Sequence, residues 1–195
     1  MSESRERLIA LYGTDEPLPQ AEPLSAGPLT AELFAGQLRM IRFTGIEVLR
    51  GIAFLYRDRD WQTPVAVLGP VSIDRRADGL TAAWDGRVEH DGGVFAFRAS
   101  LEMGPRRLRF AIDGRAETAL VANRIGFIVL HPASVAGKAL TVCHIDGGVE
   151  MLAFPTCISP HQPALAIRSH ADASTSFWVR SQACLRRRAG GNAWP

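Results

Sequence analysis

Apolar and polar residues alternate through GVFAFRASLEM, with Phe95, Phe97, Ala99, Leu101 and Met103 on one face and Ala96, Arg98, Ser100 and Glu102 on the other. RLRFAIDG repeats the period, setting Leu108, Phe110 and Ile112 opposite Arg107, Arg109 and Asp113, and GLTAAWDG groups Leu80, Ala82 and Trp84. A period of two marks a strand with one buried and one wet face. The first two runs, joined by GPR, therefore predict a hairpin. IEVLRGIAFLYRD and RIGFIVLHP are apolar on both faces, which predicts central strands covered from both sides. Turn signals recur at short intervals: TG at 44, DG at 78 and 85, DGG at 91, GP at 104, DG at 113 and DGG at 146. That rhythm, with no long helical period between the signals, predicts an all-β chain folded as an antiparallel β-sandwich or barrel.

The ends of the chain follow other patterns. Leu8, Ile9 and Leu11 have helical spacing with Gly13 placed as a stop, so a short helix is expected over about Ser4–Leu11. TDEPLPQAEPLS holds three prolines and reads as a surface arm. The expected organisation is a helix and proline-rich arm over 1–25, a sandwich over 26–180 and a basic, disordered tail over 181–195.

Composition narrows the function classes. Apolar residues make up 47% of the chain, enough for a sizeable core. No apolar run is long enough to cross a membrane, and the N-terminus lacks a secretory apolar core, so no membrane partner and a cytoplasmic location are expected. Cys143, Cys157 and Cys184 are widely spaced and odd in number, which suits reduced thiols. The formal charge of +2 includes Arg180, Arg186, Arg187 and Arg188, which sit together without an acid, so the rest of the chain is slightly acidic. A nucleic-acid partner is not expected of such a body. The chain has no G-x-S-x-G elbow, P-loop, G-x-G-x-x-G or H-E-x-x-H motif and no Cys/His cluster with zinc spacing. No metal and no cofactor are expected, and any chemistry must come from residues gathered by the fold.

Chemistry-bearing residues concentrate between Asn123 and Pro163. His131 ends an apolar run before Pro132, where it is placed either to face a ligand or to satisfy a loose carbonyl at a sheet end. His144 and Asp146 lie two apart, so on a strand they share a face, and a carboxylate beside an imidazole raises its pKa for acid–base work. Asp146 equally suits the start of the DGG turn, the reading favoured for it. His161 and Gln162 sit between two prolines on a stiff loop, a platform for polar contacts and also a common way to route a chain over a surface. Asn123 and Arg124 precede the apolar run; Arg124 is suited to clamp a carboxylate or hydroxyls, or to cover a sheet edge with its stem. The run YRDRDW, Tyr56 to Trp61, combines aromatics with charges as sugar sites do, but an edge strand protected by charge accounts for it better.

The words GFIVLHP, VAG, HIDGG, and FPTCISPHQP, preceded by LYGTDEPLP and LTAELFAGQLRMIRFTGIEVLRGIAFLYRDRDW, resemble those of the bacterial D-apionate lactonases over about residues 8 to 168. The resemblance implies the N-terminal sandwich of such an enzyme, a mutarotase-like supersandwich standing incomplete here, which in longer relatives precedes a barrel domain. It implies a sugar acid or sugar lactone as ligand. Hydrolysis by this truncated chain alone is not expected, because the barrel is absent. His131, His144 and His161 are then the candidates for activating water, with Asn123, Arg124, Asp146, Glu150 and Gln162 toward substrate. Two other readings stand beside it: a non-catalytic carbohydrate-recognition or interdomain packing module, and a mutarotase-like sugar epimerase. A homo-oligomer formed through the face left by missing domains is also expected.

Overall fold

The computed structural model describes residues 2–16, 20–144, 148–156, 167–171, 177–180 and 184–185. Helix α1 covers Ser2–Tyr12. Strands β1 (Glu22–Ala26), β2 (Leu29–Phe34), β3 (Gln37–Phe43), β4 (Ile46–Asp58) and β5 (Val67–Leu68) follow. Next come β6 (Ser72–Arg76), β7 (Gly79–His90), β8 (Gly93–Gly104), β9 (Arg107–Ala116) and β10 (Ala122–Leu130). Beyond a short 3₁₀ turn at Ala133–Val135 lie β11 (Ala139–His144), β12 (Val149–Ala153), β13 (Ile167–Ala171), β14 (Phe177–Arg180) and β15 (Cys184–Leu185).

These strands form an antiparallel sandwich. One layer has the order β1-β2-β3-β4-β10; the other has β15-β9-β8-β7-β5, with β6 also paired to β7. A third sheet of order β12-β11-β13-β14 follows them. The expected alternation holds: Phe95, Phe97, Ala99, Leu101 and Met103 of β8 and Leu80, Ala82 and Trp84 of β7 are buried. They share one core with Leu24, Leu29, Leu33, Leu38, Ile41 and Leu49 from the opposite layer. Each large side chain so enclosed contributes ~1.5–3 kcal/mol against exposure.

Hairpin geometry follows from the turn residues. Asp91 and Gly92 take φ values of 50° and 73° between His90 and Gly93, and Thr44 and Gly45 take 50° and 82° between Phe43 and Ile46. Two consecutive positive φ angles make the type I′ turn whose twist matches the strands it joins. Two other Asp-Gly pairs do something different. Gly86 and Gly114, expected in turns, lie inside β7 and β9, where the rings of Phe97 and Phe95 occupy the space a Cβ would need. In these two strands glycine makes room for an aromatic ring instead of reversing the chain.

Helix α1 is slightly longer than expected, and Gly13, at φ 74°, ends it with its N–H bonded to the Ile9 carbonyl. Strand β1 starts at Glu22, inside the stretch read as arm; Pro23 is tolerated because β1 is the outermost strand of its layer. β4 is central, whereas β10, also read as central, ends the order of its layer. Tyr56–Asp58 pair with β10 alone, beyond the β3–β4 register that ends at Ile52, and of the charges in YRDRDW Asp58 is buried instead of guarding the edge. Within the stretch expected as a tail, Cys184 and Leu185 pair in parallel with Asp113 and Gly114.

Candidate functional site

β10 carries polar groups at both ends. At its start a bulge skips Asn123: Ala122 pairs with Asp58, and the next partner, Arg57, faces Arg124. Asn123 is exposed and Arg124 half-buried. The Arg124 guanidinium lies 5.5 Å from the ring centroid of Trp61, within cation–π range. Arg57 Nη1 donates to the Trp61 carbonyl at 3.0 Å.

The loop that presents Trp61 is held from inside. Asp58 is 3% exposed, and its Oδ1 accepts from the N–H groups of Asp60 at 2.9 Å and Gln62 at 2.8 Å. The loop is closed by backbone bonds from Asp58 N–H to the Gln62 carbonyl and from Trp61 N–H to the Asp58 carbonyl. The other carboxylate oxygen, Oδ2, meets His90 Nε2 at 2.8 Å, so the β7–β8 turn in one layer is tied to the end of β4 in the other. Asp91 Oδ2 also approaches His90 Nε2, at 3.5 Å. Beside them Tyr56 donates its hydroxyl to the Val121 carbonyl at 3.2 Å. Burial, with the Asp58 and Asp91 carboxylates adding to it, pushes the Tyr56 phenol above its ordinary value and keeps it protonated.

The far end of β10 is built by packing. The His131 ring stands 4.8 Å from that of Phe154 at a tilt of 56°. Phe154 is buried, and its backbone is fixed by bonds to Gly137 and Lys138. Burial lowers the His131 pKa below its ordinary value, so the ring is a neutral acceptor near pH 7. Arg124 and His131 are seven positions apart on one extended strand, roughly 23 Å, and so do not share a site within this fold.

The other expected site residues lie elsewhere. Glu150 is an exposed residue of β12, paired in register with Val142. His144 closes β11, its backbone opposite Ile167. Asp146, His161 and Gln162 fall outside the described residues. The Asp58–His90 pair was not anticipated. Its one trace in the sequence is that His90 immediately precedes an Asp-Gly turn, and nothing local indicates that the turn reaches β4.

An open groove of about 620 Å³ crosses the outer face of β7, β8 and β9, lined among others by Asp85, Arg87, Arg98, Asp113 and Arg115. Its arginines are matched: Arg98 pairs with Asp85 at 3.1 Å, Arg115 with Glu117 at 3.3 Å, and Arg87 with Glu89 and Glu117. The hydrogen bonds from Arg87 and Arg115 hold the Glu117 carboxyl below its ordinary value. Cross-strand pairs of this kind account for the face as a solvated surface.

Comparison with known proteins adds family evidence. The family described as "D-apionate lactonase, N-terminal domain" matches residues 9–182. A D-apionate lactonase of Brucella anthropi is 33% identical over 165 residues, which cover 82% of this chain and 27% of that protein. The chain thus spans about a quarter of the length of the curated relative it matches.

Proposed function

The chain belongs to the D-apionate lactonase N-terminal domain family, and we propose that it serves as the sandwich module of a lactone-hydrolysing enzyme acting on a branched sugar-acid lactone. The observation that carries this reading is the 33% identity running through 82% of the chain while reaching only 27% of the relative. Opening a lactone requires water to add to the ring carbonyl, an electrostatic partner for the oxyanion and a proton for the departing ring oxygen. The described polar groups support a supporting role over a self-sufficient one. Asp58 is committed to His90 and two backbone N–H groups, and His131 is turned against Phe154. Arg124, the anion contact, lies at the other end of β10 from His131.

Ring opening on this reading needs the part of such an enzyme that this chain does not match. Within the whole enzyme His131, His144 and His161 are the proposed water-activating groups, with Asn123, Arg124, Asp146, Glu150 and Gln162 toward the sugar acid. The test is to incubate the purified chain with D-apionolactone and follow acid release by pH-stat. The expected result is a rate equal to spontaneous hydrolysis. Catalysed release that His131→Ala abolishes would instead make the chain an enzyme by itself.

A further inference from the structure

Arg57 and Arg124 are direct partners across β4 and β10, an arrangement in which like charges repel. Elsewhere on the sheets Arg87, Arg98, Arg109 and Arg115 each meet a carboxylate. Neither Arg57 nor Arg124 forms an ion pair among the described residues. The nearby acids are already engaged: Asp58 is turned inward to His90, and Asp60 lies 3.5 Å from Arg59. Trp61 touches both arginines, its carbonyl accepting from Arg57 and its ring facing Arg124. It is 52% exposed and at φ 65°, a left-handed backbone conformation that bulky residues seldom adopt. The loop bonds around Asp58 hold it there. One ring face is taken by Arg124, and half the residue's surface remains in water. The bulge adds the exposed amide of Asn123 beside Arg124.

We propose that Arg57, Arg124 and Trp61 form a binding site for the carboxylate of an open-chain polyhydroxy acid, with Trp61 packing on its C–H faces and Asn123 bonding a hydroxyl. A planar anion shared by two guanidinium forks removes their mutual repulsion and forms charge-assisted bonds. A neutral lactone offers no such anion, so the site selects the hydrolysed acid over the ring. Resting on the lactonase-module reading above, the inference assigns this corner to the reaction's product. His90 and Asp58 are positioning residues that set the Trp61 loop.

D-Gluconate is the probe, because it is already an open-chain acid and its binding is read without any turnover. The purified chain is titrated with D-gluconate, and with D-glucitol as the uncharged counterpart, while the indole N–H resonances are followed by NMR. Trp61→Phe identifies the reporting peak, and an unmoved Trp84 peak shows that each variant is folded. The expected result is a shift of the Trp61 peak by gluconate with Kd on the order of millimolar. D-Glucitol leaves the peak in place. Arg57→Gln and Arg124→Gln each weaken gluconate binding by about tenfold, and Arg124→Lys by nearly as much because it lacks the fork. A Trp61 peak that gluconate leaves unmoved, equal responses to glucitol and gluconate, or arginine variants that bind like the parent would each overturn the site. Gluconate binding beside a chain that hydrolyses lactone unaided would retain the site and discard the module reading. Absent gluconate binding would discard the site alone.

Discussion

The two ends of β10 belong to one strand and present different chemistry. At the Arg124 end, polar groups are fixed by hydrogen bonds: His90 to Asp58 across the two layers, the N–H groups of Asp60 and Gln62 to Asp58 within the loop, and Tyr56 to the Val121 carbonyl. At the His131 end, an imidazole is fixed by apolar contact with Phe154. The first end keeps two cations and a strained aromatic in contact with water; the second takes a titratable ring partly out of water and makes it neutral. The difference teaches that a polar side chain at a strand end signals little by itself. What holds it, and what it still lacks as a partner, decides whether it can receive a ligand.

Removing the Asp58 carboxylate tests the first end most severely. Asp58→Ala leaves His90 without its partner and two backbone N–H groups without their acceptor. The expected loss is about 3 kcal/mol, the low end for removing one partner of a buried polar pair, because the His90 side chain keeps partial contact with water. Asp58→Asn retains an acceptor for the loop and costs less. Urea denaturation checks this through the shift in midpoint at constant m. An Asp58→Ala midpoint indistinguishable from the parent would show that the clasp contributes nothing, and the contrast between the ends would collapse.

Much of the fold is legible in the sequence, for a simple reason. A period of two with one buried face leaves a strong mark, and Leu80, Ala82, Trp84 and the β8 face carry it cleanly. The family resemblance was legible too, since long words occur in order. What stayed hidden depends on pairing between distant segments. Asp58 and His90 meet only once both layers are stacked, so YRDRDW read as edge charge although one of its two aspartates, Asp58, is buried. Arg57 and Arg124 become neighbours only through the β4–β10 register. Gly86 and Gly114 read as turns because Asp-Gly is a local turn signal, whereas the rings that need those glycines come from β8. With Arg124 and His131 on one extended run, their separation to opposite ends is already written in the sequence.

A smaller effect separates the strain at Trp61 from its contacts. Trp61→Ala and Trp61→Gly both remove the ring from the Arg124 guanidinium. They differ in backbone: alanine retains a Cβ that disfavours φ 65°, and glycine does not. Trp61→Gly is expected to be more stable than Trp61→Ala by about 1 kcal/mol, the usual cost of a left-handed residue. Gluconate binding should weaken to the same extent in both, since each lacks the aromatic face. Equal stabilities would mean that the loop relaxes once the indole is gone, and that its left-handed conformation comes from the ring and not from the bonds around Asp58.

The gentlest test addresses the His131 end through pH. Burial depresses the His131 pKa in the folded chain, so at pH values between the folded and ordinary values the unfolded chain binds more protons. Stability from this group is therefore complete above the ordinary histidine range and declines as pH falls through it toward the folded value, below which it changes no further. His131→Gln removes that dependence while keeping a polar side chain of similar reach. Denaturation midpoints of the parent and His131→Gln, measured from pH 7.5 down to 5, should diverge downward for the parent. Other titrating groups act on both proteins and cancel in the difference. A parent curve that stays parallel to His131→Gln would show that folding does not take the ring out of water, and the contrast between the two ends of β10 would lose its second half.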